Sequence, residues 1–285
     1  MPGAGVRKGS GTAKSAPPAL GRVLIHGQPP YRVAVLHGGP GAPGSAGGLA
    51  RALTAGQRGV LEPWQSAGTL EGQIAELRAQ LEAHAGTPVA LVGHSWGAML
   101  GYLAAAHHPD LVARLVMVGS GVFEERYADA IVGIRFSRLR PADRATATVL
   151  LEGLEDPQTE DRDRILGELG RLFAKTDTYH PLPAEQEKDL PACDYETHVR
   201  VWADLVALRR SGRLLELGRQ IRCPVFAIHG DYDPHPADGV RRPLAGVLAD
   251  FRFVLLEHCG HEPWKEMEAR EAFLWIVEQE LGEGG

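Results

Sequence analysis

The residues of this chain that could carry chemistry begin with a serine between two spaced glycines. Ser95 lies in Gly93-His94-Ser95-Trp96-Gly97, after the apolar run 88–92 and before the small-residue stretch 98–106. A strand, then G-x-S-x-G, then a helix is the order in which a serine nucleophile occupies a tight turn. A Cβ on either glycine would strike the strand or the helix. The pattern therefore predicts a raised Ser95 hydroxyl that attacks a carbonyl carbon.

A glycine-rich segment earlier in the chain could stabilise the negative charge that such an attack creates. His37-Gly38-Gly39-Pro40-Gly41 follows the apolar run 32–36. An oxyanion is usually held by two backbone N–H donors. One belongs to the residue after the nucleophile, here Trp96, and the other to a loop after an earlier strand, here Gly39. We predict these two N–H groups as the oxyanion hole.

The base and the acid that would activate the serine are expected near the C-terminus. Asp231 and Asp233 follow one apolar run, and His258 and His261 follow the next. Both pairs are thus expected beyond the C-terminal ends of strands, where open α/β sheets carry functional groups. His261 is favoured over His258 by its place after the last strand. The residues alone leave the acid open between Asp231 and Asp233.

A metal site and a nucleotide cofactor are both disfavoured by the sequence. Asp231, Asp233 and His235 are close together, and Cys259 lies near His261. However, the chain has no Cys-x-x-Cys pair and no His-Glu-x-x-His helix motif. It also has no G-x-G-x-x-G after a predicted strand. We expect no metal and no cofactor, and we interpret His235 as a scaffold residue.

Taken in order, these motifs resemble the α/β-hydrolase family over roughly residues 22–281. The resemblance implies an α/β fold: a mostly parallel eight-stranded sheet flanked by helices, with a helical lid inserted after strand six. In similar enzymes the acid stands third after the glycine that ends its strand, which favours Asp233 over Asp231. The implied catalytic triad is therefore Ser95, Asp233 and His261.

Within the family, the segments 37–41 and 95–97 are similar to those of the proline iminopeptidase branch. That branch removes an N-terminal residue, typically proline, from short peptides. The chain departs from it at His94, where the branch usually has glycine, and at 230–233, where the branch has Gly-Arg-Tyr-Asp. An iminopeptidase also needs carboxylates that hold the free α-amine. The candidates for this role are Glu185, Glu187, Glu196 and Asp204.

The predicted function is that of a serine hydrolase that cleaves an ester or amide bond through an acyl-enzyme. N-terminal proline aminopeptidase activity is one specific form of this prediction. Small-molecule carboxylesterase or lactonase activity is the alternative, and a non-hydrolytic receptor that keeps the triad is an alternative of another class. The expected ligand is a small molecule or a short peptide, and the sequence leaves the oligomeric state open.

The composition bears on the domain organisation and on the cellular compartment. The net charge is −6 and there is no long basic run, so the sequence does not predict a surface that binds nucleic acid. The chain has no run of eighteen apolar residues, so we predict no membrane span. Three widely spaced cysteines favour the reducing cytoplasm. We predict a disordered tail at 1–20 rich in Gly, Ala, Pro and Ser. We predict a core formed by 21–121 and 221–285, with a helical lid at 122–220.

Two helices show patterns clear enough to predict individual faces. Thr69 is the expected N-cap of the first. Its predicted apolar face comprises Leu70, Ile74, Leu77 and Leu81, and its predicted outer face comprises Glu71, Glu76, Arg78 and Glu82. The second is predicted over 263–281, with a buried stripe of Ala269, Phe273, Ile276 and Val277.

Overall fold

The computed structural model of the protein describes residues 21–54, 58–183 and 190–282. The predicted tail at 1–20 lies outside the described residues. Within them the chain forms a single mixed sheet with helices on both faces. The architecture is the α/β-hydrolase type of fold that the motifs implied.

Among the described residues, seven strands make up the sheet in the order β1-β3-β2-β4-β5-β6-β7. They are β1 (Val23–His26), β2 (Tyr31–Leu36), β3 (Gly59–Pro63), β4 (Val89–His94), β5 (Val112–Val118), β6 (Val225–Gly230) and β7 (Phe251–Leu256). Only β1 runs antiparallel to its neighbour, β3, and all other pairs are parallel. The carboxyl ends of β2, β4, β5, β6 and β7 therefore meet at one edge.

The expected count of eight strands is corrected to seven in the described part of the chain. The number eight came from the family's usual sheet and not from eight apolar runs in this sequence. The helical insertion accordingly follows the fifth described strand, β5, and not a sixth. The parallel strands that bear the predicted site residues are those that the apolar runs predicted.

Ten α-helices connect or cover these strands in the described residues: α1 (Gly47–Ala52), α2 (Leu70–His84), α3 (Trp96–His107), α4 (Ala130–Arg138), α5 (Pro141–Glu155), α6 (Arg162–Asp177), α7 (Tyr195–Arg210), α8 (Arg213–Glu216), α9 (Asp238–Ala245) and α10 (Arg270–Leu281). Helices α1 and α10 share one hydrophobic cluster on one face of the sheet. Helices α2, α3 and α9 contribute to the cluster on the other face. Both faces of the parallel strands are thus covered, which explains their continuous apolar runs.

Helix α2 begins as predicted, because the Thr69 hydroxyl accepts a hydrogen bond from the Gly72 N–H at 3.1 Å. The four predicted apolar side chains are all buried. The prediction that Glu76 lies on the outer face is wrong. Glu76 is buried and accepts hydrogen bonds from the N–H groups of Ser66 and Ala67. Its carboxylate completes the turn before α2 and does not face water.

The C-terminal helix starts later than predicted. Residues 263–265 form a single 3-10 turn, and α10 begins only at Arg270. The buried stripe holds at Ala269, Phe273 and Val277, whereas Ile276 is only half-buried.

The helical insertion, residues 122–220, carries α4 to α8 and packs in two ways. Helices α5 and α6, with Leu139 before them, form a small apolar cluster of their own. Helix α7 instead joins the main core through Val201 and Leu205. Among the described helices, none combines the length and the apolar character needed to cross a bilayer.

Candidate active site

Ser95 occupies the tight turn between β4 and α3. Its backbone angles are φ 53° and ψ −113°, a conformation that costs a non-glycine residue about 1–3 kcal/mol and needs enforcement by its surroundings. A Cβ on Gly93 would lie 2.3 Å from the Gly97 carbonyl oxygen, and one on Gly97 would lie 2.3 Å from that of Leu36. Both glycines are therefore sterically required, as the motif predicted. The turn places Ser95 at the C-terminal end of β4, directly before α3.

The loop of residues 37–41, predicted to supply an oxyanion donor and called the oxyanion loop below, lies directly against this turn. A Cβ built on Gly38 would come within 3.3 Å of the Ser95 Cβ. The N–H groups of Gly39 and Trp96 donate to no residue that the structure describes. The Trp96 side chain is anchored inside the protein, where its indole N–H donates to Gln73 Oε1 at 3.1 Å. Two unused N–H donors therefore remain beside Ser95.

Helix α7 of the insertion supports the oxyanion loop from outside. His198 Nδ1 lies 3.0 Å from the Pro40 carbonyl oxygen and donates to it. The Asp194 N–H donates to the Gly41 carbonyl at 2.7 Å. The loop is thus held between the core and the first turn of α7.

The predicted acid and base are in contact. Asp233 follows β6, His261 follows β7, and both side chains are buried. His261 Nδ1 lies 2.7 Å from Asp233 Oδ2, and since a carboxylate only accepts, Nδ1 carries the proton. The other ring nitrogen, Nε2, makes no hydrogen bond to a described residue, Ser95 included. This tautomer leaves Nε2 available as a proton acceptor.

The two rejected alternatives have other contacts. Asp231 is exposed and accepts a hydrogen bond from the Cys259 N–H at 3.1 Å. His258 is also exposed, with φ 54°, and its ring stacks on Tyr179 at 5.1 Å between centroids. Asp231, after β6, and His258, after β7, therefore make their contacts with residues other than Asp233 and His261.

The pair is tuned by burial and by charge in opposite directions. Burial alone would lower the pKa of His261, but the charge and hydrogen bond of Asp233, with a contribution from Asp177, raise it above the ordinary value. Burial would raise the pKa of Asp233, yet the surrounding histidines, His261 foremost, hold it well below its ordinary value. Asp233 is therefore ionised wherever His261 is neutral.

A pH profile should report this arrangement. His261 must be neutral to accept a proton, and its raised pKa keeps it protonated to a higher pH than an ordinary histidine. We therefore expect kcat/KM to fall with decreasing pH, with a midpoint above the usual histidine value of about 6.5. The measurement is kcat/KM against pH on a substrate that does not itself titrate. A midpoint clearly below 6.5 would contradict the pairing.

Two acidic residues that the sequence analysis did not identify fix the loop of His261. The buried Glu266 carboxylate accepts hydrogen bonds from the N–H groups of Gly260, Tyr179 and His180, each at 2.8 Å. The Asp177 carbonyl accepts the His261 N–H at 2.7 Å. Both contacts tie the end of α6 to the loop that carries His261, and no local sequence pattern indicates them.

Asp177 is itself anchored through its side chain. The Arg135 guanidinium on α4 donates through Nε to Asp177 Oδ1 at 2.9 Å and through Nη2 to Asp177 Oδ2 at 2.5 Å. A forked contact of this kind fixes orientation as well as distance. The insertion is therefore linked by hydrogen bonds to both sides of the site, through α6 and through α7.

The predicted cluster of Asp231, Asp233 and His235 is rearranged in the structure. Asp233 and His235 are in contact, but the third member of the group is His261, and their ligand-type atoms lie within 4.8 Å of one another. Hydrogen bonds join both imidazoles to the carboxylate. These bonds account for the cluster without an ion, and the absence of a metal from the reaction stays a prediction.

A cavity of about 830 Å³ lies beside this site and not on it. Glu262 and Trp264, which follow His261, form part of its wall. None of the five predicted site residues lines it. Its wall reaches Pro183, after which the chain leaves the described residues.

Comparison with known proteins places the chain in a family. The family model described as the alpha/beta hydrolase fold matches residues 31–266. No curated protein sequence matches the chain at a significant level.

Solved structures share the fold at low sequence identity. A proline iminopeptidase of Mycobacterium smegmatis is 20% identical, with a TM-score of 0.59 over 91% of this chain and 93% of that chain. A monoacylglycerol lipase of Paleococcus ferrophilus is 18% identical, with a TM-score of 0.59 over 91% and 97%. An esterase of Exiguobacterium antarcticum is 15% identical, with a TM-score of 0.63 over 91% and 94%.

Proposed function

Because the chain belongs to the α/β-hydrolase fold family, we propose that it is a serine hydrolase acting on a small-molecule or short-peptide substrate. Family membership supports hydrolase activity, and the substrate and mechanism are our inference. The observation that carries it is the 2.7 Å hydrogen bond between Asp233 and His261 at the edge where Ser95 is raised. That bond fixes the imidazole tautomer that a serine nucleophile needs.

The proposed reaction cleaves an ester or amide bond in two halves. Ser95 Oγ attacks the carbonyl carbon while His261 Nε2 takes its proton. The N–H groups of Gly39 and Trp96 hold the oxyanion. The tetrahedral intermediate expels the alcohol or amine, which receives the proton from His261, and leaves an acyl-enzyme. Water, deprotonated by His261, then attacks the acyl carbon, and the acid is released as Ser95 Oγ regains its proton.

The contacts of Glu196 and Asp204, the two described candidates for holding an α-amine, favour an ester or a simple amide over an N-terminal peptide residue. Glu196 is exposed and forms an ion pair with Arg200 at 3.1 Å. Asp204 accepts the Leu70 N–H at 3.2 Å at the start of α2. Both candidate amine ligands therefore have structural partners. The other two candidates, Glu185 and Glu187, lie outside the described residues.

Iminopeptidase activity is the second candidate, supported by the motif resemblance and by the fold shared with the M. smegmatis iminopeptidase. Esterase and iminopeptidase activity can be distinguished by comparing kcat/KM for nitrophenyl acetate and butyrate with kcat/KM for proline and leucine arylamides. We expect the esters to give the higher kcat/KM, since Glu196 and Asp204, the two described candidates for the α-amine, are already paired with other groups. Preference for the proline arylamide would reverse this assignment.

The panel also tests the alternatives of function class. If the proline arylamide is preferred, Glu185→Gln and Glu187→Gln should raise KM, with Glu196→Gln as the matched control on the paired carboxylate. If no ester, lactone or arylamide turns over, the hydrolase proposal fails and a non-hydrolytic receptor becomes the better reading.

A further inference from the structure

The carboxylate of Asp233 is held by a second histidine, which bonds to the oxygen that His261 does not use. His235 Nδ1 lies 2.8 Å from Asp233 Oδ1 and donates to it. The His235 backbone N–H donates to the same oxygen at 2.9 Å. Asp233 Oδ2 is left for His261. Each carboxylate oxygen therefore has its own imidazole partner.

The local sequence fixes His235 in this place. It stands between Pro234 and Pro236, whose rings restrict the backbone on both sides. His229 Nε2 donates to the His235 carbonyl at 2.7 Å and lies 3.5 Å from Asp233 Oδ2. The His235 ring is buried and stacks on the His261 ring, with centroids 4.7 Å apart and planes at 24°. The ring thus contacts both members of the acid–base pair.

We propose that His235 is a positioning residue for the triad: its Nδ1–H orients the Asp233 carboxylate toward His261. This inference rests on the proposed serine hydrolase function. It assigns a role to a histidine that the sequence pattern alone indicates only as scaffold. In this role His235 is a second imidazole donor to Asp233, in addition to His261, and a Ser-His-Asp triad does not by itself require one.

The charge state of His235 decides how it acts. Burial lowers its pKa, against the opposing effect of Asp233. A neutral His235 with the proton on Nδ1 donates to the carboxylate without adding a positive charge beside His261. The titratable and charged groups that face these two imidazoles are His94, Arg135, Asp177, His229 and Asp233.

Loss of the Nδ1–H donor has a predictable sign. A donated hydrogen bond spreads the charge of a carboxylate and weakens its pull on the other partner. Without the donor, Asp233 should attract the proton of His261 more strongly. The pKa of His261 should then rise further, and the acid limb of kcat/KM should move to higher pH.

Two substitutions separate the donor from the ring. His235→Asn keeps an N–H close to the Nδ1 position, and His235→Phe keeps a ring but no donor. We expect His235→Phe to lower kcat by about tenfold, because that is the size of effect expected from one lost hydrogen bond. We also expect the midpoint of the acid limb of kcat/KM to rise by about half a pH unit. We expect His235→Asn to stay within about threefold of wild type with the acid limb unmoved. His258→Asn, on the outward face of the neighbouring loop, is the matched control.

A second readout does not depend on turnover. NMR titration of histidine-labelled protein gives the pKa of His261 directly in wild type and in each variant. A higher His261 pKa in His235→Phe, restored in His235→Asn, supports the proposal even if the substrate is wrong. Equal His261 pKa values in wild type and His235→Phe overturn it, as does an equal loss of kcat in both variants with the acid limb unmoved. Failure of the proposed function would instead appear as hydrolysis that does not need Ser95.

Discussion

Ser95→Ala is expected to lower kcat by roughly 10⁴- to 10⁶-fold on the best substrate, with little change in thermal stability. The hydroxyl is the atom that forms the acyl-enzyme, and no other described group replaces it on this turn. The fold should persist, because the glycines at 93 and 97 determine the close approach of strand and helix, and the β-carbon remains. Steady-state kinetics and a melting curve of both proteins give the answer.

A covalent probe makes the Ser95 prediction residue-specific. An organofluorophosphonate should add its mass to the peptide that contains Ser95 in wild type and to no peptide of Ser95→Ala. Ser137→Ala, whose exposed hydroxyl only donates to the Ile134 carbonyl, is the matched control and should label like wild type. Label on another serine, or substantial turnover by Ser95→Ala, would remove the nucleophile assignment.

His261→Ala should cost about as much as Ser95→Ala, and the double variant little more. A serine without its base and a base without its serine leave the same residual catalysis, from substrate binding and the oxyanion hole. Additive losses would mean that the two residues do not act as one unit.

The strands β2, β4, β5, β6 and β7 could be predicted from the sequence because helices cover both faces of the sheet, which makes these runs largely apolar. The strand β3 could not, since its sequence contains Glu62 and ends at Pro63. Glu62 is buried there by its partners: His26 Nε2 donates to it at 2.8 Å and the Trp64 indole N–H at 2.9 Å. These partners come from before and after the strand, so no local pattern predicts that a charge is tolerated.

The same limit applies to the site. The nucleophile turn could be predicted, because its glycines answer a steric demand within five consecutive residues. Glu266 could not, because its buried carboxylate binds backbone N–H groups just after α6 in the insertion, which a single sequence does not bring near residue 266. The sequence analysis named His235 but could not predict its role, since that role depends on the orientation of a carboxylate two residues away.

The arrangement around Asp233 also yields the second large effect. Asp233→Asn is expected to lower kcat by about 10³- to 10⁴-fold, because the amide should turn its NH₂ toward His261. Asp233 Oδ1 accepts two hydrogen bonds from His235, one of them from a backbone N–H that cannot change its proton. The amide oxygen must occupy that side. His261 Nδ1 then meets a donor, loses its proton to Nε2, and can no longer accept the proton of Ser95.

Asp231→Asn is the matched control for this variant, because Asp231 lies two residues before Asp233 in the same loop. Its carboxylate is exposed and only accepts the Cys259 N–H at 3.1 Å, a contact that an amide oxygen can keep. We expect kcat within about threefold of wild type, as for surface changes that remove no buried partner. The comparison is made at the pH of maximal activity, with melting curves to exclude unfolding. A larger loss in Asp231→Asn than in Asp233→Asn would transfer the acid role to Asp231. A loss below about tenfold in Asp233→Asn would instead mean that the amide keeps its oxygen toward His261, and that the His235 backbone N–H does not control the orientation of this side chain.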